Sequence, residues 1–135
     1  MRYHISVDSI KNKDIPTGML GESIACLYLK NLGYRVITRN FLRKCGEIDI
    51  VAEKDGRLHF VEVKTVSHEI VVGGVQSWNP IDNLHEEKIR RIHRTVYTYL
   101  SAFHVNQEDW QIDAVLIVLD RKNKEAYIEV LEAIG

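Results

Sequence analysis

The sequence predicts an α/β domain, a mixed sheet with helices packed on it. Three observations carry that expectation. Residues 18–32, and the segment that begins at Pro80, space their apolar residues at helical intervals. Between and after them stand apolar runs of strand length. Two of these runs are separated only by Asp55-Gly56. That dipeptide is a strong hairpin signal, because a type I′ turn needs positive φ, which both residues tolerate. The order helix, strands, helix, strands suggests a sheet with helices packed on it.

The elements follow in order. Residues 1–16 are polar, weakly patterned and end in Pro16. They are expected to be an N-terminal arm or one short added strand, ahead of a single domain over 17–135. In the first helix Leu20, Ile24, Leu27, Tyr28 and Leu32 form the apolar face, and Gly33 stops it. "YRVITRNF", 34–41, is a strand, and "LRKC" a short polar connection. The hairpin "GEIDIVAEKDGRLHFVEVKT" occupies 46–65. Residues 66–80 contain Gly73-Gly74 and Asn79-Pro80, which predicts a mobile loop or a loose hairpin. Asn79 caps a second helix with Pro80 at its first position. Its core face is Leu84, Ile89, Ile92, Val96, Leu100 and Phe103. "WQIDAVLIVLD", 110–120, reads as a strand buried on both sides; "RKNK" turns the chain into a last strand, "EAYIEVLEAI".

Bulk composition narrows the function classes. At 135 residues the chain can bury one substantial core. With a formal net charge of −1, whole-molecule charge gives no reason to expect polyanion binding, so a nucleic-acid site requires local clustering. Cys26 and Cys45 form no CxxC and have no histidine at zinc spacing, which predicts a reducing, cytoplasmic setting without a disulfide framework. Cys26 is expected simply to be buried in its helix. No apolar run approaches the roughly 18 residues that span a bilayer. The first residues, "MRYHISVDSIKNKDIP", lack the apolar centre of a signal peptide. Neither membrane insertion nor export is therefore expected.

The hairpin holds charges inside apolar runs. With Asp55-Gly56 as a two-residue loop, Asp49 faces Glu62 and Glu47 faces Lys64. Alternation puts these four on one face and Ile48, Ile50, Val61 and Val63 on the other, toward a core. Two carboxylates then stand about 5 Å apart at Cβ, an arrangement that is destabilising by itself. Solvent exposure, a shared proton or a divalent cation would each offset the repulsion. Mg²⁺ is commonly held by one or two carboxylates with waters and phosphates.

Asp49 followed by Glu62-Val63-Lys64 resembles the signature of the PD-(D/E)xK nuclease superfamily. Over roughly 17–131 the chain is more closely similar to the bacterial YraN family, small proteins related to archaeal Holliday junction resolvases. The pieces that carry the likeness are "GMLGESIACLYLKNLGY", "RN" at 39–40, "GEIDIVA", "LHFVEVKT", "KIRRI" and the Asp113 strand. The resemblance implies a restriction-endonuclease-like core and phosphodiester hydrolysis. It implies Mg²⁺ or Mn²⁺ on Asp49, Glu62 and the Val63 carbonyl, Lys64 assisting the attacking water, and Glu22 supplied by the first helix. Related resolvases pair as dimers, so a homodimer is an expectation by the same likeness. Gly18 and Gly21 either let backbone approach that site closely or only loosen the helix start. The chain departs from the family pattern at Val66, where relatives tend to carry a basic residue, and around Asp113, which sits in "QID" where an Arg-Phe-Asp-like string is usual. Both departures remove phosphate contacts.

"KIRRIHR" carries Lys88, Arg90, Arg91 and Arg94 without an intervening acid. On a helix these form a basic stripe suited to a phosphate backbone. Alternatively, Glu86 and Glu87 open a solvated helix with ordinary charge pairs. Trp78 is expected to pack under its loop, and the histidines, among them His59, His85 and His93, show no ligand spacing. The expectation is thus a metal-dependent nuclease acting on nucleic acid, DNA ahead of RNA. The alternatives are a non-catalytic nucleic-acid-binding module on the same fold and a protein-interaction role.

Overall fold

The computed structural model describes residues 2–6, 16–67, 85–105 and 109–135. The elements are β1 (Arg2–Ser6), α1 (Thr17–Asn31), β2 (Arg35–Arg43), β3 (Gly46–Lys54), β4 (Arg57–Ser67), α2 (Glu86–Ala102), β5 (Trp110–Asp120) and β6 (Glu125–Leu131). They form one six-stranded sheet in the order β1-β6-β5-β4-β3-β2. β4 and β5 are parallel and the other neighbours antiparallel, so the sheet is mixed. A parallel pair needs a crossover connection, and α2 lies in it. The α/β class predicted from the sequence is what the chain forms, with the mixed sheet and flanking helices of a restriction-endonuclease-like core.

Each helix covers one face. α1 packs Leu20, Ile24, Ala25 and Leu29 against Ile50, Ala52, Val61, Val115, Ile117 and Leu119. α2 packs Ile92, Val96 and Tyr99 against Phe41, Ile48, Val51, Phe60 and Ile112. β5 is buried on both sides from Ile112 to Asp120, as its unbroken apolar run predicts. Gly33 (φ 94) closes α1: its N–H bonds the Lys30 carbonyl at 3.1 Å and the Tyr34 N–H bonds the Leu29 carbonyl at 3.0 Å. The Asp55-Gly56 turn has the expected positive φ at both residues, 52° and 80°.

Several expectations are corrected. Leu27 and Leu32 are exposed rather than core. The buried stripe of α1 runs instead through Gly21, Ala25 and Leu29, because the helix approaches the sheet at Gly21, where an added Cβ would overlap the Thr65 side chain. Gly18 faces open space. Phe103 lies past the end of α2 and is exposed, resting against Tyr99 with ring centroids 4.7 Å apart. Leu42 and Arg43 continue β2, and Val66 and Ser67 continue β4, where connections were expected. Residues 2–6 form the short added strand, paired with β6. α2 starts at Glu86 and not at Pro80: His85 before it is extended (ψ 153) and stands at the N-cap, and Glu86 and Glu87 place acids in the first turn, where the helix dipole favours them. Asn79-Pro80, Leu84, Gly73-Gly74 and Trp78 lie outside the described residues.

The hairpin departs from simple alternation. The β3–β4 ladder runs from Lys54–Arg57 to Ile50–Val61. Ile50 and Val61 join the α1-side core as expected, and Val63 packs on it, but Ile48 joins the α2-side core. The face switches between Ile48 and Ile50. At that level the neighbouring β2 contains Asn40 in left-handed conformation (φ 55), between the pairs Arg39–Ile50 and Phe41–Ile48. Such a residue breaks the two-residue period of a strand.

Candidate metal centre

The site lies where β3 changes face and its ladder with β4 ends. Backbone pairing is replaced there by a side chain: Asp49 Oδ2 accepts a hydrogen bond from the Val63 N–H at 2.7 Å. Asp49 thus sits between the strands and is only 8% exposed. From the α1 side comes Glu22, brought close because Gly21 lets the helix touch β4. Glu47, at the start of β3, completes a group. Carboxylate oxygens of Glu22, Glu47 and Asp49 all lie within 4.8 Å of one another.

The electrostatics are those of crowded acids. Burial pushes the Asp49 carboxyl up to about 8, the Glu62 charge adds to this, and the Val63 N–H opposes it; Glu22 and Glu47 raise it further. Two basic or amide groups answer the acids. Arg39 approaches Glu22 Oε2 at 3.9 Å. The Asn40 amide nitrogen reaches Glu22 Oε2 and Glu47 Oε1, each at 3.1 Å, in the orientation that satisfies both carboxylates.

On the α2 side a cleft of about 450 Å³ opens onto Glu47, Asp49 and Glu62. Gly46, Glu47, Asp49 and Glu62 form one wall and His85, Lys88 and Arg91 of the α2 region the other. Lys88 Nζ bonds Glu62 Oε1 at 2.6 Å, and that carboxylate is largely buried. Glu62 therefore faces Lys88, while Glu22 and Glu47 are the acids grouped with Asp49. Lys64 lies two residues beyond Glu62 on the same strand and is half-buried.

The basic stripe divides. Lys88 and Arg91 line the cleft. Arg90 points to Glu86 and Glu87, at 3.7 and 3.9 Å, and Arg91 also approaches Glu87 at 3.8 Å. Arg94 lies on the exposed side of α2. Glu47 carried no expected role as a ligand, although its position on the Asp49 face was readable. Asn40 stood in the "RN" piece of the family likeness, but nothing there gave it a role, since that role depends on a backbone conformation. Among the described residues a further buried polar pair stands elsewhere: His59 Nδ1 lies 2.6 Å from Asp113 Oδ2, and Asp113 Oδ1 also accepts from Gln111 and the Ala133 N–H. Asp113 thereby ties β4, β5 and the C-terminal tail together.

The donor set suits a hard divalent cation. Its ligand atoms are carboxylate oxygens, without the thiolate or imidazole that zinc and copper sites favour.

Fold and site together define an α/β domain with an acid-lined cleft at the opening of two central strands. The chain matches the model of "Uncharacterised protein family UPF0102" over residues 21–117 and belongs to that family, the YraN family its motifs resemble. A UPF0102 protein of Helicobacter pylori (strain HPAG1) is 36% identical over 125 residues, covering 93% of this chain and 96% of its own. One from Campylobacter jejuni (strain 81-176) is 38% identical over 103 residues, covering 76% of this chain and 84% of its own. Among the described residues no helix is long and apolar enough to cross a membrane.

Proposed function

We propose that the protein is a metal-dependent nuclease that hydrolyses phosphodiester bonds in DNA, branched DNA included, in the cytoplasm. The observation that carries this reading is that Asp49 of β3, grouped with Glu22 of α1 and Glu47, lines with Glu62 of β4 one cleft that also presents Lys88 and Arg91. Asp49, Glu62 and the Val63 carbonyl would hold Mg²⁺ or Mn²⁺, with Glu22 completing the shell. An ion held there would make a hydroxide available near neutral pH and would polarise a phosphoryl oxygen. Lys64 stabilises the developing anion or orients the nucleophile. Lys88 and Arg91 bind the flanking phosphates, and Arg90 and Arg94 extend that contact along α2. Lys88, 2.6 Å from Glu62, balances the charge of that carboxylate. A homodimer, as in the resolvases the motifs resemble, would use one of the two sheet edges, β1 or β2.

That same ion pair favours a second reading, a nucleic-acid-binding module without catalysis, because Lys88 already neutralises Glu62. A cleavage assay with Mn²⁺ separates the two. Linear, flapped and four-way DNA are offered to wild type and Glu62→Ala. Cutting by wild type alone is the expected result. Silence from both proteins, with salt-sensitive DNA retention that survives Asp49→Asn, would overturn the nuclease reading and leave the binding module.

A further inference from the structure

We propose that Asn40 is a positioning residue for the acidic centre, clamping Glu22 of α1 to Glu47 of β3 so that both carboxylates are set beside Asp49 before a cation arrives. This rests on the metal-dependent reading above and adds two residues to it, Asn40 and Glu47.

Three features of Asn40 point the same way. Its backbone is left-handed within an otherwise extended strand, a conformation asparagine tolerates better than most residues. Its level in the sheet is the level at which β3 changes face and the β3–β4 ladder ends. Its amide nitrogen, with two hydrogens, donates to Glu22 Oε2 and Glu47 Oε1, each at 3.1 Å. Two carboxylates on separate elements, both beside the buried Asp49, would otherwise repel each other and turn outward. The amide holds one oxygen of each, and each carboxylate keeps a second oxygen that this bond does not use. Arg39, the preceding residue, reaches only Glu22, and at 3.9 Å. Groups that orient metal ligands in this way typically contribute about 10- to 100-fold to metal affinity.

The test is Mn²⁺ binding to the metal-free protein, followed by calorimetric titration, in wild type and Asn40→Gly. Glycine tolerates the left-handed backbone and removes the side chain that carries the amide, and a melting curve without metal checks that the variant folds. The expected result is Mn²⁺ affinity at least about 10-fold weaker in Asn40→Gly. In a double-mutant cycle with Glu47→Gln, the loss on removing Asn40 shrinks, because Asn40 acts through Glu47; a purely structural asparagine would show no such coupling in metal affinity. Equal Mn²⁺ affinity in wild type and Asn40→Gly would overturn the clamp and leave the metal reading intact. Absence of Mn²⁺ binding by wild type itself would overturn both.

Discussion

Asp49 concentrates the site's energetics in one side chain. Its carboxyl ordinarily titrates near 3.8 and in the fold is held up to about 8, by burial first and by the Glu62 charge second. The neutral form is therefore the one the fold favours. The stability tied to that form is fully present below about pH 4 and is lost as pH rises toward 8. Asp49→Asn keeps an acceptor for the Val63 N–H and removes the charge. The metal-free variant should melt above wild type, by a margin that grows from pH 5 to pH 8 and reaches on the order of a few kcal/mol. Thermal melts across that range check it. Millimolar Mg²⁺ should narrow the margin at pH 8, since a bound cation favours the ionised carboxylate. At this scale the sequence was informative where a residue type carries its own chemistry. Asp49 and Glu22 could be picked out and the structure places them side by side. The grouping of Glu47 with them, and the turn of Glu62 toward Lys88, depend on where the β3–β4 ladder ends, which spacing alone does not reveal.

Elements were readable where one local rule governs them. Asp55-Gly56 fixed a hairpin, Gly33 fixed a helix end, and an uninterrupted apolar run identified β5. Reading failed where tertiary contact decides. The apolar stripe of α1 is rotated from the one its leucines suggest, because the helix docks through Gly21 on Thr65. Close approach at Gly21 also sets how far Glu22 reaches. Gly21→Ala should therefore destabilise the fold by about 1–3 kcal/mol through overpacking. Gly18→Ala, which meets nothing within 4 Å, should be neutral or stabilising by up to about 1 kcal/mol. Urea denaturation of the two variants side by side checks the pair. A metal-affinity loss in Gly21→Ala that exceeds its stability loss would show that the helix position, and not only its packing, serves the site.

For the molecule as a whole, the near-zero net charge means that polyanion binding must come from one surface. The cleft gathers Lys88 and Arg91 opposite the acids, while Arg90 is turned toward Glu86 and Glu87. DNA retention should accordingly weaken with salt, with a modest slope. Lys88→Ala and Arg91→Ala should each reduce that slope by about one, whereas Arg90→Ala should reduce it less. Retention measured at several salt concentrations decides this. Lys88→Ala should also lower the metal-free melting temperature, because it leaves the largely buried Glu62 carboxylate without its 2.6 Å partner.

The pairing of β1 with β6 has a consequence for biosynthesis. At roughly 5–20 residues per second, β1 leaves the ribosome several seconds or more before β6 exists to receive it. During that interval α1, β2, β3 and β4 can already assemble, but β4 still lacks β5, its parallel neighbour. The nascent sheet therefore presents an open apolar margin until β5 and β6 have been made. The step most exposed to misassembly, and most open to help from a chaperone, is the late arrival of β5 and β6, with β1 closing the sheet last.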